Sequence, residues 1–299
     1  MRPLRAWLIY LGSVLIGGAL LAPWLHALAE VAAARFPSFE PVRLMPFHRF
    51  VNRAMMLVAL AGLWPLTRHL GLRSLRDVGL TPPAGQWRRL ASGFALGCGS
   101  LAALCALMVV SGLRRMALDH PAADYLTQFA SAALAAALVG LTEETLFRGA
   151  VFGALRKECP LVVALWVSAA IYALVHFFAP VRWTAPLDWS SGFRVLGGMC
   201  RGFLEWKALV PGFVNLTLAG VLLAQSYQWT GSLYLPVGLH AGWVFWLKSH
   251  GFLTQPASEV NTALWGSEKL IDGWGGLVVL CLTFWVLKRM TRTQSIGVK

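Results

Sequence analysis

The sequence predicts an all-α, polytopic membrane helix bundle of about eight transmembrane helices. Of its 299 residues, 57% are hydrophobic and only 13% are charged, whereas soluble domains carry about 25% charged residues. Apolar runs of the length that crosses a bilayer, about 20 residues, recur along the whole chain. We therefore expect one membrane domain over residues 1–299, with the polar motifs of its functional core between residues 126 and 250.

Hydropathy divides the apolar runs into eight candidate spans. They lie at approximately 6–28, 47–67, 90–112, 126–157, 161–179, 208–228, 232–248 and 270–288. The first could also be read as a secretory signal peptide, but its apolar run is longer than a usual signal core. An even number of spans puts both termini on one side, and because both termini are basic we expect that side to be the cytoplasm.

The formal net charge of +13 comes from basic residues that lie between the apolar runs. Arg68, Arg76 and Arg88 lie in one short connection, and Lys288 and Arg292 lie at the end of the last span and just after it. This distribution is typical of loops that face anionic lipid headgroups. It indicates the lipid bilayer as a partner and argues against nucleic acid.

The most informative motif is a charged run inside an apolar segment, LTEETLFRG at residues 141–149. An ionised side chain at mid-membrane costs about 2.5–3.5 kcal/mol on insertion scales, so these residues need internal pairing or a function. Glu144 and Arg148 are four residues apart, share a helix face and can form an ion pair. Glu143 is rotated by about 100°, so its carboxylate points in another direction. A purely structural Glu-Arg network explains Glu144 and Arg148 but not Glu143.

A histidine in the next span, in the run Tyr172-Ala-Leu-Val-His176, is the second candidate. Pro160 marks the polar turn between the two spans, with Glu143 17 residues before it and His176 16 residues after it. If both arms are antiparallel α-helices, both groups lie about 24–26 Å from the turn and can face each other. The expected cavity is then on the side away from the turn, which is the extracytoplasmic half if the termini are cytoplasmic.

A third ionisable group, His240, lies in a later span beside small residues. Gly238, Ala241 and Gly242 permit close helix approach, which would bring His240 toward Glu143 and its neighbours. Asn215, in the sixth span, is a weaker candidate, and an ordinary interhelical hydrogen bond would also explain it.

This ordered set of motifs resembles the CPBP family, which comprises type 2 CAAX prenyl proteases and bacterial bacteriocin-processing and self-immunity membrane proteins. The motifs are a glutamate pair followed by arginine (EExxxR, here EETLFR), a downstream aromatic-x-x-x-His and a later His-centred helix. The resemblance covers about residues 70–250, including the run Leu72-Arg-Ser-Leu-Arg-Asp-Val-Gly-Leu80.

The resemblance implies a role for each matching residue. Glu143 would activate the attacking water, and His176 would assist it. Glu144 and Arg148 would hold the helix geometry, while His240 would help to stabilise the oxyanion.

The sequence departs from the family pattern at two positions. The second motif usually begins with Phe, and here it begins with Tyr172. The third usually reads HxxxN or HxxxD, but the fourth residue after His240 is Val244. Asn215 could replace the missing amide; alternatively, the chain is a slow or altered enzyme.

The metal requirement stays open at this stage. Glu143, His176 and His240 form a plausible three-ligand zinc set with an open position for water. The sequence contains no HExxH motif, and we favour glutamate catalysis without a metal or other cofactor.

We therefore expect a multi-pass intramembrane endopeptidase of the bacterial inner membrane, acting on a membrane protein or peptide. A proton-coupled transporter would string ionisable groups across the membrane depth, whereas these cluster at one level. A catalytically inactive scaffold or immunity factor is the other alternative, and Val244 is the feature that favours it.

Overall fold

The computed structural model describes residues 2–72, 74–204, 206–257 and 261–296. The fold is 78% helical, and in the described part the only sheet is a two-stranded one. These findings confirm the predicted all-α membrane bundle.

Twelve α-helices account for most of the described residues. In chain order the α-helices are α1 (Arg2–Arg35), α2 (Glu40–Arg43), α3 (Phe47–His69), α4 (Trp87–Val110), α5 (Ala122–Glu144), α6 (Gly153–Glu158), α7 (Leu161–Leu174), α8 (Ser191–Met199), α9 (Trp206–Thr230), α10 (Tyr234–Leu253), α11 (Thr262–Trp265) and α12 (Trp274–Ile296). A π-helix (Thr145–Phe152) joins α5 to α6, and short 3₁₀ turns lie at Pro37–Phe39, Val175–Phe177 and Cys200–Leu204. Strands β1 (Arg114–Met116) and β2 (Thr254–Pro256) pair antiparallel.

Each of the eight predicted spans coincides with a helical segment. Six helices in the described residues are long and apolar enough to cross a membrane, by length and composition. The predicted fifth span is shorter, Leu161–Phe177, and α10, the predicted seventh, is not among the six. Helix α10 carries Lys248 and two histidines and is largely buried by its neighbours. A helix surrounded by protein does not need the uniformly apolar surface that lipid contact requires.

The chain divides into two compact units, Met1–Arg73 with Val175–Trp206, and Ser74–Leu174 with Lys207–Lys299. This division concerns packing only; the expectation of a single membrane domain stays a prediction.

In the first unit, α1 packs against α3 and α8 through glycines. A Cβ on Gly18 would lie 2.8 Å from the Cα of Met55. A Cβ on Gly192 would lie 1.9 Å from the carbonyl oxygen of Ala19. The backbones therefore touch at both crossings, which only glycine permits.

The segment 181–204 forms part of this unit. It contains the short helix α8, and the guanidinium of Arg194 lies 5.2 Å from the ring centre of Trp183. Arg194 also pairs with Asp188, and these contacts hold the connection before α8 in place.

In the second unit, α10 packs in parallel against α4 through two glycines on each helix. A Cβ on Gly97 would lie 2.1 Å from the carbonyl oxygen of Leu239, and one on Gly238 would lie 2.1 Å from that of Leu90. Gly93 and Gly242 make equivalent approaches. This contact is a small-xxx-small interface on both partners.

A turn before α4 fixes the junction between α9 and α10. Gly79 has φ +84°, and a Cβ there would lie 2.4 Å from the ring of Tyr227. Both the left-handed backbone and the close ring therefore require glycine. The carbonyl of Gly79 accepts a hydrogen bond from the N–H of Leu233 at 2.9 Å.

At the other end of α10, a buried arginine joins the strand pair to the connection before α12. Arg114 donates to Oγ1 and to the carbonyl oxygen of Thr254, at 2.8 and 2.9 Å. Its guanidinium also pairs with Glu268, with Nη1 2.9 Å from Oε1. This pairing compensates the charge of a side chain that is only 3% exposed.

Candidate active site

The glutamate motif lies where α5 changes into the π-helix. Glu144 is the last residue of α5, and Arg148 lies in the π-helix Thr145–Phe152. π-Helical turns bond i to i+5 and are rare outside functional sites. Within this segment, a Cβ on Gly149 would lie 2.7 Å from the carbonyl oxygen of Val78. The wide turn therefore coincides with a point where another part of the chain presses on the helix.

Glu144 and Arg148 form the ion pair that their spacing predicts. Arg148 Nη1 lies 2.9 Å from Glu144 Oε1, and the side chains are 2% and 0% exposed. Arg148 Nη2 donates to the carbonyl oxygen of Gly220 at 3.4 Å. Gly220 also lies close to α7, since a Cβ there would be 2.8 Å from the Cβ of Ala169. Arg148 therefore connects the π-helix to α9 at a point where α9 and α7 are in close contact.

His240 of α10 contacts the same glutamate. Its Nδ1 lies 2.7 Å from Glu144 Oε1, so this one oxygen meets both His240 and Arg148. A carboxylate only accepts hydrogen bonds, which assigns the proton to Nδ1 of His240. Glu144 thereby fixes the orientation of the ring, as a carboxylate does for a catalytic or metal-binding histidine.

Glu143 reaches the other nitrogen of the same ring. Its Oε2 lies 3.9 Å from Nε2 of His240, and its side chain is 30% exposed. That distance is longer than a direct hydrogen bond. A water molecule or a substrate atom could bridge the two groups at this distance. The two adjacent carboxylates therefore reach opposite nitrogens of one ring. The Glu144 side chain is fully buried, and the Glu143 side chain is 30% exposed although its Oε2 atom is buried.

Aromatic rings enclose the ion pair. The guanidinium carbon of Arg148 lies 4.3 Å from the ring centre of Tyr172, within the range of a cation–π contact. The Tyr172 ring stands edge-to-face with Phe147 at 5.2 Å and with His240 at 6.0 Å. Tyr172 thus packs on two members of the polar cluster, a role that its aromatic ring can fill whether the residue is Phe or Tyr.

Close approach of α5 and α10 brings these groups together. A Cβ on Gly140 would lie 3.1 Å from the carbonyl oxygen of Val237 and 3.3 Å from the Cβ of Ala241. Gly140 is one turn before Glu144, and Ala241 is next to His240, so this contact sets the separation of the two functional side chains. The sequence predicts a close approach at Ala241, but Gly140 and the α4 glycines were not predicted. The GFALG spacing of Gly93 and Gly97 is a signal from which the α4 glycines could have been found.

His176 lies in the 3₁₀ turn Val175–Phe177 that follows α7, and its side chain is exposed. This turn belongs to the first unit, whereas Glu143 belongs to the second, and their facing geometry stays a prediction. The predicted equal depth of Glu143 and His176 rests on the assumption that both arms are regular α-helix. That assumption is wrong, because the arm before Pro160 contains the π-helix and the other arm changes to 3₁₀ before His176.

Asn215 has a structural position. Its Nδ2 donates to the carbonyl oxygens of Ile271 and Gly273, both at 2.7 Å. These bonds fix the turn before α12. They agree with the alternative explanation for Asn215, an ordinary interhelical hydrogen bond. Val244 is half-buried on α10. Because Asn215 Nδ2 is bonded to the turn before α12, the structure does not support the idea that Asn215 replaces the amide missing at position 244.

In the described residues, no group of three or more His, Cys, Asp or Glu side chains is arranged to hold a metal ion. The cluster around Glu144 contains only one histidine, and its arginine cannot ligate a cation. The side chains of this cluster therefore form an ion pair and a hydrogen-bond network.

Residues 125–246 match the model of a protein family described as type II CAAX prenyl endopeptidase Rce1-like. The match confirms the resemblance that the motifs predict, and all five candidate residues lie within it. No curated protein and no solved structure gave a match. Together with the apolar helices, the family match supports a multi-pass membrane protein of the CAAX-protease-like hydrolase type.

Proposed function

We propose that the chain, whose residues 125–246 are Rce1-like, is an intramembrane endopeptidase that uses Glu143 to activate water. Its substrate is a membrane-associated protein or peptide, cut near a terminus or near a transmembrane anchor. Its location is the bacterial inner membrane, with both termini in the cytoplasm.

The observation that carries this proposal is the shared contact of His240 with two adjacent carboxylates. Glu144 Oε1 meets its Nδ1 at 2.7 Å, and Glu143 Oε2 lies 3.9 Å from its Nε2. A purely structural pair would be satisfied by Glu144 and Arg148 alone. The additional histidine supplies a hydrogen-bond donor, and the second carboxylate, Glu143, supplies an acceptor beside it. This pairing supports the proposal because amide hydrolysis needs both a proton acceptor for water and a donor for the oxyanion.

The two glutamates are suited to different tasks. Glu144 is fully buried and holds both Arg148 and His240, so we assign it to positioning. Glu143 is 30% exposed and can meet a water molecule and a peptide. A general base must lie within hydrogen-bond reach of the proton it takes, directly or through a water, so we assign this role to Glu143 and not to the fully buried Glu144.

The proposed reaction balances as an ordinary hydrolysis. Glu143 takes a proton from water while the water oxygen attacks the peptide carbonyl carbon. The carbonyl oxygen gains negative charge. His240, in its doubly protonated form, can donate a hydrogen bond from Nε2–H to that oxygen while its Nδ1–H remains hydrogen-bonded to Glu144. The C–N bond then breaks, and Glu143 returns its proton to the leaving nitrogen.

His176 completes the proposal as an assisting group. Its exposed ring in the turn after α7 is accessible to substrate, and a histidine exchanges protons near neutral pH. Zinc bound by Glu143, His176 and His240 is the alternative. Near-stoichiometric zinc in the purified protein, with activity lost on chelation and restored by zinc, would favour it.

An inactive scaffold is the second candidate, and Val244 favours it. A valine four residues after His240 supplies no hydrogen-bond donor, so the oxyanion would depend on His240 alone. A scaffold would keep the Glu144–Arg148–His240 network for stability and would produce no new peptide termini.

Comparing peptide termini in membranes of cells that express the wild type or Glu143→Gln tests the proposal. Glu158→Gln is the matched control, since Glu158 is an exposed residue at the end of α6. Termini that appear with the wild type and with Glu158→Gln, but not with Glu143→Gln, would support the protease and identify its substrate. Identical termini in all three, with folded protein in each, would favour the scaffold.

A further inference from the structure

The first unit contains a groove between α1 and α3 with a volume of about 520 Å³. This is within the range of about 300–1,000 Å³ that small-molecule sites occupy. Its lining includes Arg5, Ile9, Tyr10, Ser13, Leu66 and His69. Most of the lining side chains are apolar or small, and the two basic ones, Arg5 and His69, lie at the same end.

The groove exists because α1 and α3 separate on one side of their closest contact. At Gly18 the backbone of α3 is so near that a Cβ would lie 2.9 Å from the N atom of Met55. Further toward the start of α1, Gly62 leaves room for the ring of Tyr10, from which its Cβ would be 3.1 Å. The Tyr10 hydroxyl donates to the carbonyl oxygen of Ala59 at 2.9 Å, which holds this ring as one wall of the groove.

The charged end of the groove is entirely basic. Arg5 lies near the start of α1 and His69 is the last residue of α3, both at the groove. Arg68 is the next residue to His69, and its guanidinium lies 5.2 Å from the ring centre of Trp64. Residues 1–29 and 41–72 contain no Asp or Glu. The one carboxylate on these two helices, Glu30, lies 25 residues after Arg5 on α1 and pairs with Arg43, so it does not offset the positive charge at the groove.

Basic and aromatic side chains at the end of a transmembrane helix lie at the level of the lipid headgroups. The helix length from Arg5 to Ser13 is about 12 Å at 1.5 Å per residue. The groove therefore runs from headgroup level into the apolar layer, with its cations at the headgroup end.

We propose that this groove binds an anionic phospholipid of the surrounding bilayer. The phosphate lies at Arg5 and His69, and one acyl chain follows the apolar floor past Ile9 and Leu66 toward Ser13. A zwitterionic lipid with the same chains fits the floor equally well but gains less from the charge of Arg5. The site is independent of the proposed peptidase chemistry, since none of its residues belongs to the glutamate and histidine motifs.

Native mass spectrometry of the purified full chain can measure this binding, with phosphatidylglycerol and phosphatidylcholine of identical acyl chains as probes. We expect the first phosphatidylglycerol to bind more tightly than the first phosphatidylcholine. Arg5→Gln should weaken phosphatidylglycerol binding about five-fold, which corresponds to the about 1 kcal/mol that one basic residue gains near an anionic surface. Ser13→Phe should fill the groove and weaken both lipids alike.

Arg49→Gln is the matched control, because Arg49 is an exposed residue at the opposite end of α3. It should leave phosphatidylglycerol binding unchanged. Equal affinity for the two lipids, or equal weakening by Arg49→Gln and Arg5→Gln, would overturn the proposal. If Arg5→Gln fails to fold, unchanged lipid binding by folded Ser13→Phe would overturn it as well.

Discussion

Nδ1 of His240 lies 2.7 Å from Oε1 of Glu144, the same oxygen that Nη1 of Arg148 approaches at 2.9 Å. One buried carboxylate oxygen therefore joins α5, the π-helix and α10. The neighbouring Glu143 lies 3.9 Å from the other nitrogen of the same ring, and its side chain is 30% exposed.

Replacing Arg148 with Ala should destabilise the fold. Breaking one partner of a buried ion pair typically costs about 3–5 kcal/mol, because a charge is left uncompensated. Thermal unfolding in detergent should show a clearly lower Tm than for wild type, together with a lower yield. Arg49→Ala, at an exposed position, should leave the Tm unchanged. A stable but inactive Arg148→Ala protein would contradict the structural role and indicate direct participation in the reaction.

Glu144 and His240 should act as one unit. We expect a double-mutant cycle with Glu144→Gln and His240→Asn to show a coupling energy of about 0.5–3 kcal/mol, the range for residues in direct contact. The cycle is measured by unfolding free energies in a single detergent. Additive effects of the two substitutions would show that the 2.7 Å contact contributes nothing to stability.

Side-chain size at the α4–α10 interface should control both stability and activity. Gly97→Ala places a Cβ 2.1 Å from the carbonyl oxygen of Leu239, and overpacking of this kind costs about 1–3 kcal/mol or more. Displacing α10 also displaces His240, so cleavage should fall with the Tm. Gly99→Ala, whose Cβ has no atom within 4 Å, is the control on the same helix. Equal behaviour of the two variants would contradict the tight packing of this interface.

The Arg114–Glu268 pair should make stability depend on acid pH. The hydrogen bond from Arg114 holds the pKa of Glu268 below its usual value of 4.5. Because the folded protein binds fewer protons than the unfolded one in this range, the contribution is present above about pH 4.5 and is lost as pH falls through the folded pKa. Glu268→Gln should lower the Tm near neutral pH and flatten its fall in acid. A Tm profile identical to wild type would contradict the pairing.

Much of the fold and part of the site could be predicted from the sequence, for physical reasons. Apolar runs between basic residues locate the helices because lipid imposes length and composition on each span. The Glu144–Arg148 pair follows from local spacing. The approach of His240 was expected from Gly238, Ala241 and Gly242, but the two glycines contact α4, and Ala241 with Gly140 provides the contact to α5.

The remaining features depend on tertiary packing, which no local pattern encodes. The π-helix at Thr145–Phe152 has no sequence signature comparable to a cap or a turn. It accompanies the close approach of Val78 to Gly149, which involves residues about seventy positions apart. The assumption of regular helices around Pro160 fails for the same reason, so counting residues from that turn does not fix the depth of Glu143.

The central claim is that Glu143 activates water while Glu144 positions His240. Its most direct test is the cleavage rate of an identified peptide substrate by Glu143→Gln and Glu144→Gln, each measured beside its Tm. We predict that both variants lose cleavage by at least about 100-fold, the lower range for a general base, and that only Glu144→Gln unfolds at a clearly lower temperature. Cleavage by Glu143→Gln at the wild-type rate would contradict the account.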